Sequence, residues 1–427
     1  MKKLLSVFTL LLLSAVVYAG GYRVSLQGNR ALAMGHTGVA VVNSAELAFF
    51  NPAGLVHLEK KFNISAGGFG VFSDVAYQNT SLGTSAETES SVGTPVYLYA
   101  SYRVSDAFTL GLAVYTPYGS EVTYPTDWAG SHLVNSIELE SIYVQPLFSW
   151  EVVKDRFSIG GGPILAIGSV NFNRNLSRNL TDLEGNRSNV TIDASGITEF
   201  GFSFGALLNI DNNDKWKLGS NYRSSIDVTV EPGDGIGTFA NVPESALAPI
   251  ANGSFDFAAS LPLPAEWTVG LSFNPNDKWL FAFDFNYAEW SEYQSLDLQF
   301  LNPDGSVALE SVNPRGYVDS IILRYGAQYS PNDKWDFRAG YYFDESPVEP
   351  GFFAPETPRN DSNGFTAGLS YYVNDRLSID ASFLYLNFQE VDASYDFFLE
   401  TDGTPAPFEG TYKSSAMVGG LGINYQL

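Results

Sequence analysis

The run Asn276-Asp277-Lys278-Trp279-Leu280-Phe281-Ala282-Phe283-Asp284-Phe285-Asn286-Tyr287 decides the fold. It opens on three turn-forming residues and a tryptophan, after which aromatic side chains take every second position. Phe281, Phe283, Phe285 and Tyr287 share one face, and Ala282, Asp284 and Asn286 share the other. A side-chain period of two is that of a β-strand, here with one persistently apolar face.

The phrase recurs. Its copies are Val104-Ser105-Asp106-Ala107-Phe108, Val153-Lys154-Asp155-Arg156-Phe157, Asn213-Asp214-Lys215-Trp216, Asn332-Asp333-Lys334-Trp335 and Asn374-Asp375-Arg376-Leu377. Each is a tight turn leading into an alternating run with its apolar residues in the same phase. Copies stand about 40–60 residues apart, room for one strand up, a long loop and one strand down. Short turns at one rim and long loops at the other describe an outer-membrane barrel. Six turns make seven strand pairs, so the expected fold is an all-β transmembrane antiparallel β-barrel of 14 strands. Phe108, Phe157, Trp216, Trp279 and Trp335 would form the aromatic girdle at the turn end.

Composition agrees. The chain has 427 residues, no cysteine, 15% aromatic residues and a formal charge of −24, which excludes thiol chemistry and argues against nucleic acid. The mean hydropathy of −0.03 is the average of an apolar outer face and a polar lumen. Met1 to Ala19 carries two lysines, an apolar run and a small-residue end, the pattern of a cleaved signal peptide. Residues 61–427 then form the barrel. Between them, residues 20–60 are rich in Gly and Ala, show no strand alternation, and reach Asn51-Pro52, which stops any helix. A compact apolar segment at the rim is expected to fold inside the barrel as a small, partly helical plug.

These features together resemble the FadL-type outer-membrane transporters of long-chain fatty acids and other hydrophobic compounds. The resemblance spans the mature chain. It rests on Asn51-Pro52-Ala53, on Tyr118-Gly119-Ser120-Glu121, on the run from Arg338 to Val348, and on Lys413-Ser414-Ser415-Ala416. It implies an N-terminal hatch whose gate is Asn51, Pro52 and Ala53, an extracellular groove, an interior apolar pocket, and a lateral exit at a bend in the third strand. Pro117, Tyr118 and Gly119 are the candidates for that bend, since Pro lacks a donor and Gly tolerates unusual backbone angles.

The loop from Gly235 to Pro264 is unusually apolar, and Phe239, Val242, Leu247, Ile250, Phe255 and Phe257 are candidates to line the groove. Parity points Arg103, Arg223, Arg324 and Arg338 inward, with Asp284, Asp336 and Asp380. Arg324 and Arg338 are the candidates to meet a ligand carboxylate. The expected partners are a long-chain fatty acid or other apolar small molecule, outer-membrane lipid and lipopolysaccharide, and the barrel-assembly machinery.

Three histidines with no nucleophile–acid spacing support neither an enzyme nor a metal site, and no cofactor is expected. The resulting expectation is passive, hatch-gated uptake of apolar molecules across the bacterial outer membrane. The competing expectation is a nonspecific diffusion porin or a structural barrel.

Overall fold

The computed structural model describes residues 23–24, 26–89, 92–211, 213–244, 250–358, 360–400 and 402–427. The signal-peptide reading of Met1 to Ala19 lies outside them. The barrel is closed, antiparallel and 14-stranded. Its first six strands are β1 Phe62–Asn79, β2 Val96–Ser105, β3 Phe108–Tyr115 continued as Gly119–Thr123, β4 Ser136–Val153, β5 Phe157–Asn175 and β6 Asn189–Asn209. Next come β7 Trp216–Arg223 with Ile226–Val230, β8 Gly253–Leu263 with Glu266–Asn276, and β9 Trp279–Ala288. The last five are β10 Ser320–Asn332, β11 Trp335–Asp344, β12 Ser362–Asn374, β13 Leu377–Phe388 and β14 Phe408–Gln426. β14 pairs back onto β1 from Asn63↔Gln426 to Gln78↔Thr411, so the spanning sheet has no free edge.

All six expected turns join strands. In three of them the Asn side chain explains the recurring phrase. Asn276, Asn332 and Asn374 each accept the N–H two residues on, from Lys278, Lys334 and Arg376, at 2.9–3.0 Å. That Asx-turn reverses the chain without tertiary help. The rings at the turn end pack in cross-strand pairs: Trp216 stacks on Phe273 at 4.0 Å, while Trp279 and Trp335 lie tilted against Tyr329 at 4.6 Å and Tyr371 at 4.7 Å. Higher up, Phe202, Phe281, Phe337, Phe365 and Phe383 are exposed on the lipid face, while Ser149, Ser158, Ser203 and Ser370 are buried on the inner one.

The inner face packs on the N-terminal segment. That segment holds α1 Asn29–Ala33, α2 Leu47–Phe50 and a 3-10 turn Pro52–His57. The elements are too short to be stable alone, so their geometry comes from side-chain bonds and from the wall. The Glu46 carboxylate accepts the N–H groups of Arg30 and Ala31 at 3.1 and 3.0 Å, capping α1. Arg30 then pairs with Asp380 of β13 at 3.2 Å. Asn51 is fully buried: its Nδ2 donates to Val39 O and to Ala206 O of β6, and its Oδ1 accepts Ala53 N–H. Ala53 O in turn accepts the hydroxyls of Ser149 (2.9 Å) and Ser158 (2.7 Å), so the Asn51-Pro52-Ala53 corner is bonded to three strands.

The wall makes room by omitting side chains. A Cβ at Gly219 of β7 would lie 2.7 Å from the Val39 carbonyl carbon, and one at Gly326 of β10 would lie 2.5 Å from Thr37 Oγ1 and 2.9 Å from Met34 Cβ. Both positions face the segment, not a neighbouring strand. Replacing both glycines by valine should therefore unseat the segment and leave the barrel intact. Planar-bilayer conductance should rise while heat-modifiable gel mobility stays that of the folded barrel; unchanged conductance would refute the packing role of the two glycines.

Candidate functional site

Above the N-terminal segment the lumen changes character. In β6 the inward residues are Val190, Ile192 and Ala194, then Ile197, Ser203 and Leu207, so the inward parity switches. The cause is a β-bulge: pairing with β5 passes from Ser169↔Ser195 to Gly168↔Ile197 and leaves Gly196 unpaired at φ 72. Its neighbours switch too. Arg223 and Ile226 are both buried across Ser224-Ser225 in β7, as are Leu263 and Glu266 across Pro264-Ala265 in β8. β7 and β8 thus turn aliphatic residues inward in their upper halves and polar residues inward in their lower halves, while β6 shows Ile197, Ser203 and Leu207 inward below its bulge.

The aliphatic half encloses a cavity of about 120 Å³ whose walls include Leu139, Val170, Ile197, Val228, Phe257 and Leu261. One end is polar. Arg174, at the end of β5, donates to Ser311 Oγ at 2.9 Å and leaves its Nε buried without a partner. Arg315, in the β9–β10 loop, is ion-paired to Glu356, bonds Tyr293 OH at 3.2 Å and lies 5.4 Å from the centre of the Tyr395 ring. Burial works against the Arg315 charge, but Glu356 beside it more than compensates and raises its pKa.

A second cavity, of about 390 Å³, adjoins the first. It lies where β3 is interrupted at residues 116–118. Below the break β3 pairs with β2 and β4; above it, Gly119–Thr123 is in register with β4 alone, with one further bond from Glu89 N–H to Thr123 O. Tyr118, Leu139, Glu140 and Ser141 line both cavities. Tyr118 is held by its hydroxyl on Glu266 Oε1 at 3.1 Å, and Glu266 is ion-paired to Arg23 at 3.1 Å. Arg23 also reaches Asp344 at 3.3 Å, and the next residue, Val24, donates to Pro117 O at 2.8 Å. The start of the described chain is therefore tied to the residue that parts the two cavities.

The other sequence candidates are distributed differently. Phe239, Val242 and Ile250 are buried in a cluster with Phe257 and Phe300, and Phe255 packs on its edge, its ring 5.7 Å from that of Phe239. These residues cement the extracellular extension of the sheet instead of forming an open groove; only Phe257 among them lines the cavity. Leu247 lies outside the described residues. Arg338 is bound by Asp336 (2.9 Å), Gln328 (2.7 Å) and Ser370 (2.6 Å) in a lumen network with Tyr372, and does not line the cavity. Arg324 lines a separate small cavity beside Pro117. Sequence reasoning missed Arg174 and Arg315. Extending the β5 alternation through Val170 and Phe172 points to Arg174, whereas Arg315 sits in a loop that no periodicity reaches.

The family model described as "Outer membrane protein transport protein (OMPP1/FadL/TodX)" matches residues 10–427. The "47 kDa outer membrane protein" of Pasteurella multocida is 24% identical over 407 residues, covering 91% of this chain and 89% of that one. The "Long-chain fatty acid transport protein" of Escherichia coli strain K12 is 21% identical over 450 residues, covering 97% and 96%. Among solved structures, a Pseudomonas aeruginosa FadL homologue superposes with a TM-score of 0.81 at 20% identity, covering 95% of this chain and 99% of the other. The Pseudomonas putida toluene transporter TodX gives 0.73 at 17%, covering 94% and 98%.

The buried Arg315–Glu356 pair generates a prediction that does not depend on the ligand. Arg315→Met strands the Glu356 carboxylate and should cost about 3–5 kcal/mol. Arg315→Met with Glu356→Leu should recover most of that loss in thermal unfolding in detergent. A double variant no more stable than the single one would contradict the pairing.

Proposed function

The chain belongs to the OMPP1/FadL/TodX family of outer membrane transport proteins, and on that footing we propose that it is a passive uptake channel for long-chain fatty acids or similar apolar molecules, gated by its N-terminal segment and emptied sideways into the outer leaflet. As a family member with a membrane barrel, it is an outer-membrane protein that carries hydrophobic compounds and is not an enzyme. The finer reading rests chiefly on one observation: an apolar cavity with a guanidinium at its end adjoins a break in the barrel wall.

The steps follow from the chemistry of those residues. An acyl chain leaving water gains roughly 0.8 kcal/mol per buried methylene, enough to draw it among Leu139, Val228 and Leu261. Its carboxylate needs charge-assisted donors in that dry setting, and Arg174 has an Nε to offer. Movement toward the lateral cavity requires Tyr118 to swing, hence the Arg23–Glu266 contact to part. The body of the segment, bonded at Asn51 and Ala53, stays seated, and the part that moves is Arg23 with Val24. Ligand drives this only by its differential affinity for the open arrangement. The same seated body supports uptake without a standing aqueous pore, against the porin reading.

Two predictions follow. Arg174→Met should weaken oleate binding about tenfold or more, the worth of a hydrogen bond to a charged group, and leave oleyl alcohol binding nearly unchanged. Isothermal titration reads both, and equal losses would argue against a head-group role. Gly119→Leu, at a site where an added Cβ would lie 3.2 Å from Leu139 O, should fill the lateral opening. Oleate would still bind but uptake by cells would stop; normal uptake would point to another exit.

A further inference from the structure

We propose that Arg324, with Arg223, forms a transit subsite for the ligand's carboxylate, in the small cavity where the broken strand meets the N-terminal segment. The proposal rests on the lateral route above and adds a second stop to it. The cavity is water-sized, about 20 Å³, and Pro117, His36, Phe49, Arg223, Glu266 and Arg324 are among its walls. Arg23 and Val24 line both this cavity and the lateral one, so the two adjoin.

Three arginines face it. Arg23 is met by Glu266 and Asp344. The other two have no carboxylate within 4.0 Å among the described residues. Arg223 is 5% exposed, donates to Phe49 O at 3.2 Å, lies 4.3 Å from the centre of the Phe49 ring, and leaves its Nε buried without a partner.

Arg324 is also 5% exposed and makes no hydrogen bond or ion pair among the described residues. Its cross-strand neighbour Asp284 is turned away: one oxygen accepts the N–H groups of Gly38 (2.8 Å) and Val39 (3.2 Å), and the other occupies the space beside Gly270. Asp284, Glu266 and Asp344 act on this guanidinium only from beyond ion-pair distance, which leaves it under-compensated, whereas buried guanidiniums are otherwise paired or hydrogen-bonded. A carboxylate entering this cavity would supply the anion that both guanidiniums lack at ion-pair distance, and it arrives when Tyr118 swings and Arg23 lets go of Glu266. The subsite thus favours acidic cargo at the exit step and is indifferent to neutral cargo.

The test compares oleate with oleyl alcohol in cells carrying the full-length protein. Arg324→Met should slow oleate uptake about tenfold, leave oleyl alcohol uptake unchanged, and leave oleate affinity in detergent at the wild-type value; Arg324→Lys should restore most of the oleate rate. Arg324→Gln serves should the Met variant fail to fold, with heat-modifiable mobility as the check. Equal slowing of both cargoes would mean that Arg324 only holds the segment in place, and an unchanged oleate rate would also overturn the subsite. Failure of the wild-type protein to bind oleate at all would instead remove the functional reading on which the subsite stands.

Discussion

Every backbone donor and acceptor that crosses a lipid bilayer must be paired within the protein, and the rest of this molecule is arranged around that demand. Fourteen strands meet it by closing on themselves, β14 onto β1. Closure leaves one face for lipid and one for the lumen, which is why the sequence alternates with such regularity. It also makes an interruption conspicuous. At residues 116–118 the ladder between β2 and β3 lapses, and the void beside it, the Tyr118 side chain and the Arg23–Glu266 contact all gather there. A proline has no N–H to leave unpaired, so Pro117 is the residue whose presence costs the wall least at that point.

The N-terminal segment imposes a second demand, that of space. A lumen lined with ordinary side chains has no room for about thirty more residues. The wall answers with glycines at the points of closest approach, and the segment answers with small residues and with backbone groups satisfied by wall hydroxyls. The bulge at Gly196 serves a different end. By changing the parity of β6 it keeps Val190, Ile192 and Ala194 inward above it and sends Phe200, Phe202 and Phe204 to the lipid face below it.

Much of this was legible in the residues themselves. Asx-turns are local, so Asn276, Asn332 and Asn374 announced strand boundaries without knowledge of the fold. Parity carried Arg223, Arg324, Arg338, Asp284 and Asp380 to the inner face correctly. It could not distinguish an arginine engaged by a neighbour from an idle one, because Arg338 meets Asp336 and Gln328 through side-chain geometry that alternation does not encode. The apolar loop was harder still. Composition marks Phe239 and Ile250 as apolar in either an open groove or a packed cluster, and only their burial against Phe300 tells the two apart. Parity also breaks at bulges, which is why the upper lumen of β6 to β8 escaped it.

The account's central claim is that cargo passes sideways while the body of the N-terminal segment stays seated. The native chain has no cysteine, so a single engineered pair can test it cleanly. The hydroxyl of Ser382 on β13 donates to Asn29 Oδ1 of α1 at 2.5 Å, so cysteines at these two positions would face each other between wall and segment without filling a glycine's space. Cells carrying Asn29→Cys with Ser382→Cys should take up labelled oleate at nearly the same rate whether the pair is oxidised or reduced. Uptake abolished by oxidation and restored by reductant would show that the whole segment must leave the lumen, and would contradict the lateral route.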